Sequence, residues 1–185
     1  TLEAAIEDAY RAADAAIHNT ADQLFSNPRT VPTLNFQTNS SQLTIDVIAA
    51  RSTLDPALAA WKRDIDDGSV DIGTLTAISQ GNLARISDFL AKCNIALNSA
   101  TTNTNATASV IAGYITDIAS ARSAVNTAAS TITSDNAARL TAEKNLALAR
   151  AGSRATDIAA AQADVMSAQA LLAKTRIVAP FAGTV

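Results

Sequence analysis

Ile111-Ala-Gly-Tyr-Ile-Thr-Asp-Ile118-Ala-Ser-Ala-Arg-Ser-Ala-Val125-Asn-Thr-Ala-Ala-Ser-Thr-Ile132 returns to a β-branched residue at every seventh position. Arg139 and Leu146 continue that register, and Tyr114, Ala121, Ala128, Asp135, Ala142 and Ala149 form its companion. A sustained seven-residue repeat keeps one stripe of a helix turned toward a neighbour. The stretch therefore reads as a long coiled-coil helix, β-branched at one seam position and mostly alanine at the other. Asp135 and Arg139 sit on the seam where Ala or Ile would be expected. A polar seam residue costs stability but can fix register or partner choice. Ile158, Val165 and Leu172, with Ala161, Ala168 and Thr175, form a second register, but Ile158 stands twelve residues after Leu146, not fourteen. The pattern slips at Ala151-Gly152-Ser153, as either a turn between antiparallel helices or a distorted joint in one helix.

The residues before this segment also read as helix. Leu2, Ile6, Ala9, Ala13, Ile17 and Leu24 recur at spacings typical of one helical face, and Asn27-Pro28 ends the run. A second stripe runs Leu43, Val47, Ala50, Leu54, Leu58, Trp61 and Ile65, with an N-cap expected at Asn39-Ser40-Ser41. Asp55-Pro56 interrupts it, and a kink or restart capped by Asp55 is expected there. A third stripe follows the Asp66-Asp67-Gly68-Ser69 turn: Leu75, Ile78, Asn82, Ile86, Leu90, Cys93 and Leu97, with Asp71 as its cap. Residues 98–107, rich in Ser, Thr and Asn, read as a loop. Helices with short connections make an up-down bundle the default architecture. The fourth segment is long enough to project beyond the others.

The 185 residues carry a net charge of −3, and the apolar share of 48% is largely alanine because aromatics contribute only 4%. Alanine favours helix and lets helices approach closely, so a thin helical structure is expected and not a thick globular core. No Lys/Arg cluster offers a nucleic-acid partner the concentrated basic face that phosphate neutralisation needs. No run of about eighteen apolar residues spans a membrane. The single cysteine, Cys93, has no partner for an internal disulfide and falls on a core stripe.

Candidate chemistry is sparse. His18 lacks a ligand set at metal spacing and reads as a surface or boundary residue. Asp64, Asp66, Asp67 and Asp71 crowd around Gly68, yet a calcium loop started at Asp64 puts Gly68 at its fifth position and Leu75 at its twelfth, where glutamate is needed. Trp61 reads as core. No phosphate loop, nucleophile–base arrangement, cofactor motif or metal motif is present, so no catalytic, cofactor-binding or metal-binding residue is assigned.

The chain ends Leu171-Leu-Ala-Lys-Thr-Arg-Ile-Val-Ala-Pro-Phe-Ala-Gly-Thr-Val185. Here an alanine-rich helix gives way to a β-branched pair, Ala-Pro and a Gly turn. "Leu-x-x-Thr-x-Ile-x-Ala-Pro-Phe-x-Gly-Thr-Val" resembles the end of the helical hairpin in HlyD-like periplasmic adaptors, the membrane fusion proteins of tripartite efflux and secretion systems. Leu146-Ala-Leu-Ala-Arg-Ala-Gly-Ser-Arg-Ala-Thr-Asp-Ile158 is similar to the leucine pair, Ala-Gly break and following helix of that family. The resemblance covers about residues 140–185.

It implies that Thr175, Ile177, Ala179, Pro180 and Gly183 mark the junction where the descending helix enters a lipoyl-like β-domain, of which 176–185 would be the start. An anchor segment and the first lipoyl half would lie before Thr1. Adaptors of this family sit in the periplasm, anchored at the inner membrane, work as homo-oligomeric rings and link an inner-membrane transporter to an outer channel. The hairpin end often contacts the channel through an arginine, a leucine and a serine. Arg139, Leu146 and Ser153, with Gly152 and Arg154 beside the last, are what this chain offers. Glu143 stands where the family motif has leucine.

The expected fold is all-α: an elongated up-down bundle of three amphipathic helices in 1–105, a long alanine-rich coiled-coil hairpin or arm in 106–175, and the first strand of a truncated lipoyl-like β-domain in 176–185. The expected function is that of a non-catalytic periplasmic adaptor. An extracytoplasmic four-helix-bundle sensor or ligand-binding domain is the alternative, since the first four helices would suit it.

Overall fold

Thr1 opens the first helix by accepting a hydrogen bond from the Ala4 N–H on its hydroxyl, at 3.4 Å. In the computed structural model, which describes residues 1–102, 106–152 and 155–175, the chain divides into two units, Thr1–Arg139 and Leu140–Val185. The described residues are predominantly helical, so the chain is all-α in class.

In the first unit, α1 spans Leu2–Ala15 and buries Leu2, Ala5, Ile6, Ala9 and Ala13 on one face. It runs into a π turn, Ala16–Thr20, and then a tight 3₁₀ turn, Ala21–Leu24. The wider turn holds more residues than an α turn and resets the direction of the apolar stripe. Ala16, Ile17, Ala21 and Leu24 consequently all remain buried. Asn27 takes a left-handed φ of 51°, which asparagine tolerates, to turn the chain at Asn27-Pro28.

The following loop carries short strands that the helical reading did not anticipate. β1 (Phe25–Ser26) pairs antiparallel with β2 (Thr33–Leu34). β3 (Gln37–Thr38) pairs with β4 (Ala100–Thr101), which ties this loop to the far end of the fourth helix. Phe25 stacks on Phe89 at 6.3 Å between ring centroids, so the loop is anchored in the core as well as by its backbone.

α2 (Ser41–Ser52) is capped by Ser40, whose hydroxyl accepts from the Leu43 N–H. α3 (Leu54–Asp66) restarts after Thr53, ahead of the expected Asp55 cap. Pro56 then lies in the first turn, where its missing N–H is no loss. Asp55 is not the cap, because its carboxylate is taken up by Arg51 and His18. α4 (Ile72–Asn98) begins at Asp71, whose carboxylate accepts from the Thr74 N–H at 3.0 Å. Trp61 of α3 is fully buried, donates to Ser79 Oγ of α4 at 3.0 Å and meets Tyr10 of α1 edge-on at 5.4 Å. That one indole joins three helices, and its N–H is satisfied as a buried donor requires.

α5 (Ala108–Arg150) is 43 residues, about 65 Å at 1.5 Å per residue. Its seam residues Ile111, Ile118, Ala121, Val125 and Ile132 are buried in the core of the first unit, as the last helix of the bundle. The expected division between residues 105 and 106 follows the loop before α5. By packing, the division falls inside α5, between Arg139 and Leu140.

In the second unit, the end of α5 is followed by α6 (Ala155–Thr175). Every described side chain from Leu140 onward is exposed.

Candidate functional site

The second register of the sequence becomes one face of α6. Ile158, Ala161, Val165 and Leu172 follow one another at steps of three, four and seven, which places them on a single side of an α-helix. None of the described side chains of α6 is buried. Ile158, Val165, Met166, Leu171 and Leu172 are each more than half exposed. Ile158, Ala161, Gln162, Val165 and Met166 border a shallow apolar depression of about 490 Å³. Leu146 and Leu148, at the end of α5, are similarly uncovered. Uncovered apolar side chains repeated along one helix face are unusual on a solvated surface.

The slip at Ala151-Gly152-Ser153 is a helix end. Gly152 adopts φ +69°, the left-handed conformation that closes many helices, and its N–H donates to the Ala149 carbonyl at 3.3 Å. Arg139 is half-buried, and its Nε and Nη2 donate to Asn136 Oδ1 at 3.3 and 3.1 Å, so the guanidinium is held along its own helix. Leu146 is 49% exposed. Arg139 belongs to the first unit, and Leu146 and Gly152 to the second. Ser153 and Arg154 lie outside the described residues. Thr175 is exposed at the last position of α6, with its hydroxyl donating to the Leu172 carbonyl at 2.7 Å. Ile177, Ala179, Pro180 and Gly183, and with them the expected start of a β-domain, also lie outside the described residues.

A charge network that the sequence reading missed sits beside the π turn. Arg51 of α2 is 0% exposed; its Nε and Nη2 donate to the two oxygens of Asp22 at 2.6 and 3.1 Å, and its Nη1 donates to Asp55 Oδ1 at 2.9 Å. His18, in the π turn, places Nε2 3.1 Å from the same Asp55 oxygen and Nδ1 2.8 Å from Asp14 Oδ1. Burial pushes the Asp55 carboxyl up, but the hydrogen bonds and charges of His18 and Arg51 outweigh it and hold the group below its ordinary value. Both nitrogens of His18 are occupied, so neither is open as a general base. The network links α1 and the two turns after it to α2 and α3.

Cys93 is fully buried, and burial pushes its thiol far up, away from the reactive thiolate. Asp67 accepts from the backbone and hydroxyl of Ser69, closing the acidic turn on itself. Among the described residues no group of acidic, His or Cys side chains is arranged to hold a metal ion. No described helix is long and apolar enough to cross a membrane. Comparison with protein-family models, with curated proteins and with solved structures finds no match to this chain.

Proposed function

We propose that this chain is the helical part of a non-catalytic periplasmic adaptor, linking an inner-membrane transporter to a distal channel or envelope partner. The observation that carries the reading is the uncovered face of α6. Ile158, Ala161, Val165 and Leu172 form an exposed apolar stripe on the helix that leads directly into the adaptor-like Thr175–Val185 sequence. The work is mechanical and adhesive. The stripe packs against neighbouring helices of the assembled ring, residues 176–185 begin a lipoyl-like β-domain, and the transporter supplies the energy. Residues 1–139 add a bundle whose last helix is the first part of α5.

The test is a photo-crosslinking residue at Val165 or Leu148 of the full-length gene product in its own cells. Adducts with a polytopic transporter, an outer channel or neighbouring copies in an envelope complex are expected. A cytosolic protein whose adducts are all cytosolic would overturn the reading. The sensor reading draws on the helical packing of residues 1–139. The full-length gene separates the two: lipoyl-type β sequence on both sides favours the adaptor, and transmembrane helices on both sides favour the sensor.

A further inference from the structure

α4 and α5 are laced by a polar ladder with a seven-residue step. Gln80 Nε2 donates to Thr133 Oγ1 at 3.3 Å, and one heptad along α4 Ser87 Oγ donates to Asn126 Oδ1 at 3.0 Å. Seven positions forward on α4 correspond to seven back on α5, so the next rung sets Asn94 against Ala119. Alanine supplies neither length nor a polar group. At this rung the ladder opens into a groove of about 510 Å³.

Ile118, buried, and Ala119 give the groove an apolar floor, and Asn94, Arg122, Ser123 and Asn126 stand around it. The polar groups that remain open are mostly donors. Asn126 Oδ1 is engaged by Ser87 and Asn94 Oδ1 accepts from Asn98 Nδ2, and among the described residues the amide NH₂ groups of Asn94 and Asn126 donate to no partner. Arg122 makes no ion pair or hydrogen bond through its side chain among the described residues, whereas Arg11 and Arg51 are each tied to two carboxylates. Among the described residues no acidic side chain lines the groove, and Arg122 is the one charged residue there.

We propose that this groove is a binding site for a small monocarboxylate with a hydroxylated tail, of the sugar-acid type. The guanidinium takes the carboxylate at two points, which is the geometry it favours. The tail lies over Ile118 and Ala119 and accepts from Asn94 and Asn126, with the Ser123 hydroxyl able to donate or accept. A single cation matches a monoanion; a phosphate dianion would call for a second positive group. The site is independent of the adaptor reading, which makes no demand on this face of the bundle.

The test is a titration of the ¹⁵N-labelled full chain with D-gluconate at constant ionic strength, followed by amide shifts. Acetate, D-glucose and inorganic phosphate are separate arms. Saturable shifts gathered around Asn94, Ala119, Arg122 and Ser123 are expected, with an affinity at least about tenfold above that for acetate or glucose. Arg122→Gln should lower the affinity at least about tenfold, and Arg85→Gln, away from the groove, should leave it unchanged. If Arg122→Gln disturbs the fold, Ala119→Leu serves instead, because it fills the floor and should weaken binding comparably. Linear shifts scattered over the surface cations, or an affinity indifferent to both groove variants, would overturn the site. Phosphate binding more tightly than gluconate would overturn the ligand class.

Discussion

Arg51 and Asp22 are 29 positions apart in the chain and meet as a two-point ion pair, Nε–Oδ1 at 2.6 Å and Nη2–Oδ2 at 3.1 Å, with the arginine wholly shut off from solvent. Removing one partner from such a pair leaves a buried charge uncompensated. Arg51→Ala should cost about 3–5 kcal/mol. Replacing both partners by apolar residues, as in Arg51→Met with Asp22→Leu, should recover most of that loss. Urea unfolding followed by circular dichroism measures both. A loss below about 1 kcal/mol for Arg51→Ala would mean that the pair is not buried in solution as it is here.

Asp55 gives the same network a pH dependence. Its carboxyl is held below the ordinary value by His18 and Arg51. A group with a depressed folded-state value stabilises the protein above the usual carboxylate range and loses that contribution as pH falls through the folded value. The loss should therefore appear from about pH 4 downward and be absent at neutral pH. Stability measured at pH 6, 4 and 2 should fall more steeply for the wild type than for Asp55→Asn. Parallel curves for the two proteins would remove Asp55 from the acid response.

Cys93 has 0% exposure on the inner face of α4, and its thiol is pushed up by burial. A disulfide reagent can reach it only through an opening of the bundle. With a stability of at least about 5 kcal/mol, native labelling should run more than about a thousandfold slower than in urea. Labelling at the unfolded rate would show that α4 separates from its neighbours without global unfolding.

What could be read from the sequence, and what could not, follows the range of each interaction. The seam from Ile111 to Ile132 was legible because its period is local, and so were the caps at Ser40 and Asp71, each made to an N–H three residues on. Arg51 was not. Between Val47 and Leu54 a helical stripe can pass through residue 50 or 51, and the apolar choice, Ala50, looked natural. The residue that is fully buried is Arg51, because Asp22, far away in sequence, neutralises it. An arginine at an allowed stripe position with an aspartate four residues later was the one local hint. Asp55 failed as a cap for the same reason. The two-residue strands β3 and β4 are likewise fixed by a pairing across more than sixty positions, which no local pattern encodes.

Gly152 tests whether the end of α5 is set by backbone conformation alone. Its φ of +69° is the left-handed state, and a Cβ built there would meet nothing within 4 Å, so a substitution acts through the backbone and not through a clash. For alanine that state costs about 1–2 kcal/mol. In Gly152→Ala, residue 152 should leave it for the right-handed helical region, and the ¹³Cα shifts of residues 151 and 152 should become helical. Asparagine tolerates the left-handed state, so Gly152→Asn should keep the wild-type pattern of terminal amide protection. If alanine retained a positive φ, measured from the HN–Hα coupling, contacts other than the glycine would be holding the terminus, and the break between the two seven-residue registers would owe nothing to residue 152.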